Sequence, residues 1–223
     1  MKQRVLVVAP HPDDETLGCG GTLLKHKTRG DDIFCLFITN VFVCDGYSEE
    51  TVACRQSEIE TVVKTYGIEK TLKLDLPASK LDTVALVNLV GSIREIFMAV
   101  KPSVVYIPGR NDIHSDHTIT FAASVSALKS FRCPFVRRVL MYETISETEF
   151  APPLSCSGFT PNSFSDISEY LEQKIAIMKI YNNELCEHPF PRSVNNIRAL
   201  ATFRGATAGV TYAESFMLLR ETW

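Results

Sequence analysis

V-L-V-V-A-P-H-P-D-D-E, from Val5 to Glu15, is an apolar run that ends abruptly in a histidine between two prolines, followed by three acidic residues. Four apolar residues and an alanine have the length and composition of a strand that is covered on both faces. The prolines exclude both strand pairing and a smooth helix at His11, so the sequence predicts a turn there. Because ligands of open α/β sheets bind beyond the carboxyl ends of strands, this stretch is a candidate site.

A second stretch, about a hundred residues later, is built in the same way. The apolar run 104–107 is followed by P-G-R-N-D-I-H-S-D-H, which contains His114, Asp116 and His117. Two neighbouring parallel strands would bring both stretches to one edge of a sheet. Two imidazoles and one carboxylate are a ligand set suited to Zn²⁺, with a fourth position open for water in a catalytic site, and Fe²⁺ or Co²⁺ would also fit.

Strand-like and helix-like segments alternate along the chain, and this alternation predicts an α/β fold with a mostly parallel central sheet. At 223 residues and 45% apolar content, the chain has enough material for one substantial core, so we expect a single domain over residues 1–223. The predicted strands are 4–9, 33–39, 71–74, 104–107 and 136–142, and the predicted helices are 16–28, 49–66, 83–100, 118–129 and 167–181. The Ser-, Thr- and Pro-rich segment 143–165 is either the wall of a sugar pocket, with aromatic rings that stack on the sugar, or a surface excursion packed by its own side chains. An Ala-rich stretch completes the chain.

Each motif also has a plainer interpretation. P-D-D-E by itself is typical of a helix start, with Asp13 as the N-cap and the next two acids complementing the helix dipole. The glycines of L-G-C-G-G, residues 17–21, invite comparison with a nucleotide-binding loop, but the G-x-G-x-x-G spacing is absent and we interpret them as close packing of a helix on the sheet. His26, between two lysines, is predicted to be solvated, and the role of His188 is left open.

Composition excludes several classes of function. The net charge is −3 and no basic run is present, which argues against a nucleic-acid partner. No apolar stretch approaches the roughly eighteen residues of a membrane span, and the N-terminal apolar run is too short for a signal peptide, so we expect a cytoplasmic protein. Seven scattered cysteines indicate reduced thiols without a ligand role. A homo-oligomer is left open.

Taken together, P-D-D-E after a strand and histidine, and H-x-D-H much later, resemble the signature of the LmbE-like or PIG-L family of metal-dependent N-acetylglucosaminyl deacetylases. Weaker matches are Arg55 with Glu58, Tyr142 with Glu143, and H-P-F-P-R-S at 188–193. The resemblance implies a Rossmann-like three-layer fold and removal of an acetyl group from an N-acetylated amino sugar. The expected partner is a small GlcNAc-type conjugate.

The resemblance also implies a role for each matching residue. The metal ligands would be His11, Asp14 and His117; the catalytic residues would be Asp13 as general base and His114 facing the oxyanion, with Asp116 behind it; Arg55 would bind substrate. This set suits amide hydrolysis, which needs an activated water, stabilisation of the carbonyl oxygen and a proton for the leaving amine. That proton could come from Asp13 once it is protonated, or from His114. Asp116 is expected to favour a charged His114.

Substrate identity is the open part of this hypothesis, because L-D-L-P-A-S-K-L-D at 74–82 departs from the Gly- or Asp-rich turn of many relatives. A metal-dependent amidase acting on another small amide is the first alternative, and a non-catalytic sugar-binding protein of the same fold is the second. For Arg55, the alternative is an ion pair with Glu58 on a solvated helix face.

Overall fold

A seven-stranded sheet, in the order β3-β2-β1-β4-β5-β7-β6, organises the computed structural model, which describes residues 2–152 and 158–223. The strands are β1 Arg4–Ala9, β2 Asp32–Asn40, β3 Lys70–Pro77, β4 Val104–Ile107, β5 Arg138–Tyr142, β6 Ser163–Asp166 and β7 Ala213–Glu221. The helices are α1 Asp14–Thr28, α2 Glu49–Tyr66, α3 Leu86–Val100, α4 Ser115–Ala127, α5 Leu171–Met178 and α6 Val194–Ala208. The predicted α/β class with a mostly parallel sheet is confirmed.

The first five strands, β1 to β5, all run parallel to one another, as the alternation of elements predicts. The last two strands were not predicted: β7 pairs antiparallel with both β5 and β6. The short, polar β6 overlaps the end of segment 143–165. It spans only four residues, which is too few for an alternation of polar and apolar residues to be recognised.

Burial on both faces explains the unbroken apolar run of β1. Val5 and Val7 pack in the core on one side of the sheet, whereas Leu6 and Val8 pack in the core on the other side. Each of these four side chains is fully buried. A central parallel strand of this kind has no solvent-facing positions for polar residues, so its carboxyl end is the first place where polar side chains can stand.

The glycines of α1 permit close packing, as the sequence interpretation predicts. A Cβ atom added at Gly18 would lie 2.3 Å from the ring of Tyr142 on β5, and one added at Gly21 would lie 2.6 Å from Ile167. The Tyr142 hydroxyl in turn donates a hydrogen bond to the carbonyl of Val8 (2.8 Å). Helix α1 is thereby held tightly against the strands whose ends carry the candidate site.

The prediction that His26 is solvated is wrong. Its side chain is buried, with Nδ1 2.7 Å from Asp31 Oδ2 and Nε2 3.0 Å from the Tyr106 hydroxyl. Its neighbours Lys25 and Lys27 do point outwards and donate to backbone carbonyls. The turn at the end of α1 brings Asp31 back under the histidine, a contact that helical periodicity alone does not reveal.

None of the helices in the described residues has the length and apolar character that crossing a membrane requires.

Gly18→Ala and Gly91→Ala should have opposite effects on stability. The new methyl group at position 18 has no space beside Tyr142, so we expect a loss of about 1–3 kcal/mol in the free energy of unfolding. Gly91 is exposed on α3 with no heavy atom within 4 Å of the added Cβ, so alanine there should add about 0.5–1 kcal/mol through helix propensity. Urea denaturation measures both, and equal effects at the two positions would contradict the packing role of Gly18.

Candidate metal centre and catalytic site

Parallel pairing of β1 with β4 brings the two polar stretches together. Val5, Leu6 and Val7 align with Val104, Val105 and Tyr106, so both strands end at the same edge of the sheet. Each strand then leads through a turn into a helix: α1 begins at Asp14, and α4 begins at Ser115. The predicted site residues other than Arg55, which lies on α2, are on the two turns and the first turns of these helices.

A carboxylate between two imidazoles forms the centre of the site. Asp14 Oδ2 lies 3.3 Å from His11 Nδ1 and 3.2 Å from His117 Nε2. Ligand atoms of the three residues all lie within 4.8 Å of one another, which is a spacing that one cation could bridge. Asp14 and His117 are buried, whereas His11 is half-buried. These donors are the borderline nitrogen and oxygen ligands that suit Zn²⁺ or a similar divalent ion.

A second group, His11, His114 and Asp116, also lies within this distance, but its carboxylate is already engaged. Asp116 Oδ2 accepts the backbone N–H of Ser79 (2.7 Å) and Oδ1 accepts that of Leu81 (3.1 Å). Oδ2 also lies 3.1 Å from His11 Nε2. Asp14 accepts one backbone N–H, from His11 (2.8 Å), whereas Asp116 accepts two. The group that contains Asp14 is therefore the better candidate for a cation, and Asp116 contacts the outer nitrogen of His11.

Burial and neighbouring charges shift the pKa values of this cluster in opposite directions. Burial lowers the pKa of His11, but its hydrogen bonds to Asp116 and Asp14 outweigh burial and raise the pKa to about 9. The pKa of His117 is likewise raised despite burial, chiefly by the charge of Asp14. Burial favours the neutral form of Asp14, yet the two imidazoles hold its pKa far below the usual range. A divalent cation would take the place of the imidazole protons, so its binding should weaken as the pH falls.

The charge of Asp116 raises the pKa of His114, as expected, but the Asp116 carboxylate is hydrogen-bonded to other groups. The Asp116 carboxylate faces His11 and the Ser79–Leu81 loop, and it is the Asp116 backbone N–H that donates to His114 Nδ1 (3.1 Å). Burial lowers the pKa of His114, as do the nearby charges of His11 and His117, and these effects outweigh the opposing charge of Asp116. The lowered pKa favours the neutral imidazole, and the contact at Nδ1 favours the tautomer that carries its proton on Nε2.

Asp13 lies next to the candidate ligands in an uncommon backbone conformation, with φ at 139°. It stands at the N-cap position of α1, but its side chain makes no capping hydrogen bond, so the simple N-cap interpretation does not describe it. Burial raises the pKa of the Asp13 carboxyl, and the charges of Asp14 and Glu184 raise it further. A carboxylate with a raised pKa binds a proton more readily, and this property suits a general base.

A cavity of about 340 Å³ opens above these residues. Asp116 is not part of its lining. The polar lining includes His11, Asp13, Asp14, His114 and His117 together with Asn40, Tyr47, Arg55, Ser79, Thr144, Glu147, Glu184 and Arg192. A larger cavity of about 520 Å³ also touches Thr144 but contains none of the candidate metal ligands. The described part of segment 143–165 thus contributes Thr144 and Glu147 to the catalytic cavity, while Phe159 lies on the larger one. Residues 153–157 of that segment lie outside the described residues.

Arg55 reaches the cavity, and its guanidinium group is held from three sides. Nη1 donates to the carbonyl of Pro12 (3.0 Å), Nη2 pairs with Glu184, and Nε lies 3.3 Å from Glu58. The ion pair with Glu58 that the sequence suggests is therefore present, but in a largely buried setting and not on a solvated face. Arg55 links the start of α1 to the segment that carries Glu184.

Sequence reasoning missed four residues of the site. Glu147, Glu184 and Arg192 line the cavity, and Asp112 contacts His117 Nδ1 (2.9 Å). Arg192 Nη1 lies 3.6 Å from Asp13 Oδ2, and its buried Nε has no hydrogen-bond partner among the described residues. Arg192 lies in the H-P-F-P-R-S segment, Glu147 in segment 143–165 and Asp112 in P-G-R-N-D-I-H-S-D-H. Glu184 lies outside the stretches that the sequence analysis singled out. His188 of the same segment is exposed and does not line the cavity.

Comparison with known proteins adds independent information. Residues 6–128 match the model of a protein family described as PIG-L: GlcNAc-PI de-N-acetylase. The diacetylchitobiose deacetylase of Thermococcus kodakarensis is 25% identical over 219 residues, which cover 95% of this chain and 81% of that protein. The solved structure of a conserved protein from Thermus thermophilus, TT1542, aligns with a TM-score of 0.81 and 27% identity, covering 99% of this chain and 96% of that chain.

The fold alone does not determine the reaction. GalB, the 4-carboxy-2-hydroxymuconate hydratase of Pseudomonas putida KT2440, aligns with a TM-score of 0.76 at 16% identity, covering 100% of this chain and 98% of that chain. Function must therefore be argued from the residues of the site.

His117→Ala and His11→Ala should each abolish stoichiometric metal binding, because each removes one of three proposed ligands. The exposed His188 provides a matched control, and His188→Ala should bind metal as the unmodified protein does. Equilibrium dialysis with Zn²⁺ followed by elemental analysis gives the metal content. Full metal retention by both ligand variants would refute the assignment.

Proposed function

Because the chain belongs to the PIG-L family, whose deacetylases are metal-dependent, we propose that it is a hydrolase that removes the acetyl group from an N-acetylated amino sugar of the GlcNAc type. The observation that carries this proposal is the group His11, Asp14 and His117 directly beside a buried carboxyl, Asp13, on one polar cavity. We further propose Zn²⁺ as the metal, and residues 1–223 as one catalytic domain.

The proposed ligands are His11, Asp14 and His117, and the cation they hold would lower the pKa of a water molecule and polarise the acetyl carbonyl. Asp13 takes the proton that the attacking water gives up. Its raised pKa favours this transfer, and the protonated carboxyl then supplies the proton that the leaving amine needs. Asp13 is suited to both steps because it lines the cavity next to Asp14.

His114 stabilises the negative charge that develops on the carbonyl oxygen. Its Nδ1 accepts the Asp116 backbone N–H, which leaves the proton on Nε2 as a hydrogen-bond donor. A neutral imidazole can act in this way without an adjacent counter-charge. Asp116 contributes through the backbone and through its contact with His11, and not as a carboxylate behind His114.

The cavity favours a polar substrate of limited size. Asn40, Glu147, Glu184 and Arg192 offer both donors and acceptors for sugar hydroxyl groups around a volume of about 340 Å³. The relative from Thermococcus kodakarensis is named as a deacetylase of diacetylchitobiose, itself an N-acetylated amino sugar. We therefore propose a small amino-sugar conjugate as the partner of this cavity.

A screen of N-acetylhexosamine conjugates tests the proposal, with Zn²⁺ present and with released acetate and new primary amines both measured. Deacetylation of at least one conjugate supports the assignment. Hydrolysis of simple amides without any sugar preference would favour the alternative amidase, and saturable sugar binding without product would favour the non-catalytic binding protein.

Asp13→Asn should separate catalysis from metal binding. The amide cannot accept a proton, so turnover should fall by about 10²-fold or more, while metal content stays at the level of the unmodified protein. Asp14→Ala is the reference for metal loss, and Asp82→Asn, on an exposed position, is the control for charge removal. Metal loss in Asp13→Asn equal to that in Asp14→Ala would show that the two aspartates have exchanged roles.

Arg55→Ala should mainly raise KM, because Arg55 lines the cavity and holds Glu184 in place. A smaller effect on kcat is expected, since the proposed catalytic residues keep their contacts. Glu58→Gln removes the charge from the ion pair along α2 but keeps an oxygen to accept the Asn182 backbone N–H, and it serves as the matched control. Unchanged kinetics on the true substrate would leave Arg55 with a role in stability alone.

A preference of the unmodified enzyme for neutral over anionic conjugates would count against direct recognition of an anion by Arg55.

A further inference from the structure

Asp112 is a buried carboxylate in the loop between β4 and α4, and only 4% of its surface is exposed. Both of its oxygens are used. Oδ2 accepts the hydrogen bond of His117 Nδ1 (2.9 Å), and Oδ1 accepts that of the Thr148 hydroxyl (2.8 Å). A buried carboxylate is costly unless its charge is compensated, so its place against an imidazole needs an explanation.

The backbone leaves space for this carboxylate. A Cβ atom added at Gly109 would lie 2.1 Å from Asp112 Oδ1 and 2.5 Å from its Cγ. Any other residue at position 109 would therefore displace the Asp112 carboxylate from its present place. Glycine at position 109 thus leaves room for the Asp112 side chain. Its φ is not positive, so backbone conformation does not require a glycine there.

The contact fixes the orientation of His117. When Nδ1 donates to Asp112, Nε2 is the nitrogen left to bind a cation, and it lies 3.2 Å from Asp14 Oδ2. This is the direction in which a proposed ligand must point. A carboxylate on the outer nitrogen also makes the inner nitrogen more basic.

The other oxygen of Asp112 connects the same ligand to the wall of the cavity. The Thr148 hydroxyl that donates to Asp112 also accepts the backbone N–H of Thr144 (2.8 Å). The backbone N–H of Ile113 donates to the carbonyl of Glu147 (3.1 Å). Thr144 and Glu147 both line the catalytic cavity, so one carboxylate holds a ligand on one side and a wall turn on the other.

We propose that Asp112 is a positioning residue that sets the orientation and basicity of His117 and so raises the affinity of the centre for a divalent cation, while Thr148 holds Asp112 in place. This inference rests on the proposed metal centre. It assigns no contact between Asp112 and the cation or the substrate.

The chain offers a matched pair elsewhere. Asp31 contacts His26 Nδ1 at 2.7 Å, and the two side chains form a largely buried carboxylate–imidazole pair that does not line the cavity of the candidate site. Asp31→Asn therefore removes the same charge from the same kind of pair and serves as the control for a general loss of stability.

The test is the dissociation constant for Zn²⁺, measured by competition with a chromophoric chelator on the full chain at constant pH. Asp112→Asn should raise it by about 10- to 100-fold, the range typical of a lost outer partner of a metal-binding histidine. Thr148→Val, which keeps the Asp112 charge but removes one tether, should raise it by about two- to tenfold. Asp31→Asn should leave it unchanged.

The outcomes separate this inference from the proposed function. If the unmodified protein binds no divalent metal, the proposed metal-dependent function fails and this inference fails with it. If it binds metal and Asp112→Asn binds as tightly as Asp31→Asn, only the positioning role is overturned. Should Asp112→Asn not fold, Thr148→Val decides: weaker binding supports the role, and unchanged binding refutes it.

Discussion

Parallel hydrogen bonding between β1 and β4 is the constraint on which the site depends. The two strands are not neighbours in sequence, yet their pairing places residues about a hundred positions apart on one edge of the sheet. Both strands are apolar on both faces, so a shift of register would leave core positions unfilled on either side. The distances from Asp14 to the two imidazoles therefore follow from core packing as much as from the turns themselves.

The first turn of α1 has its own means of support. Glu15 is fully buried, and its Oε2 accepts the backbone N–H of Asp13 (3.0 Å). Its Oε1 accepts the hydroxyl groups of Thr16 (2.6 Å) and Tyr181 (2.9 Å). These contacts hold Asp13 at a φ that residues other than glycine seldom adopt, and such strain persists only where the surroundings enforce it.

The central strands and the two polar stretches could be predicted because their signals are local. The run before Pro10 is apolar on both faces, and the prolines and acidic residues that follow it mark the turn and helix start. The parts that could not be predicted depend on distant partners. Asp116 faces the loop at Ser79 and Leu81, and nothing in H-S-D-H indicates that direction.

The same reasoning applies to β7 and to the lining residues. The strand β7 takes its place by pairing with β5, across some seventy residues of chain, so its own sequence carried too little information. Glu184 enters the site through Arg55, 129 positions away in the chain. Asp112 resembles any other loop aspartate until the position of Thr148 is known. Residue type and spacing identify candidate ligands, whereas their outer partners are determined by tertiary structure.

The cavity divides into two parts that can change at different cost. Its floor consists of short turns attached to the buried strands and to the tightly packed α1, where a substitution disturbs the core. Its walls come from separate loops that contribute Tyr47, Ser79, Glu147 and Arg192. Surface loops tolerate exchange and insertion far better than packed elements do. An engineer could therefore graft new wall loops to redirect the enzyme towards other acylated amines without rebuilding the reaction centre.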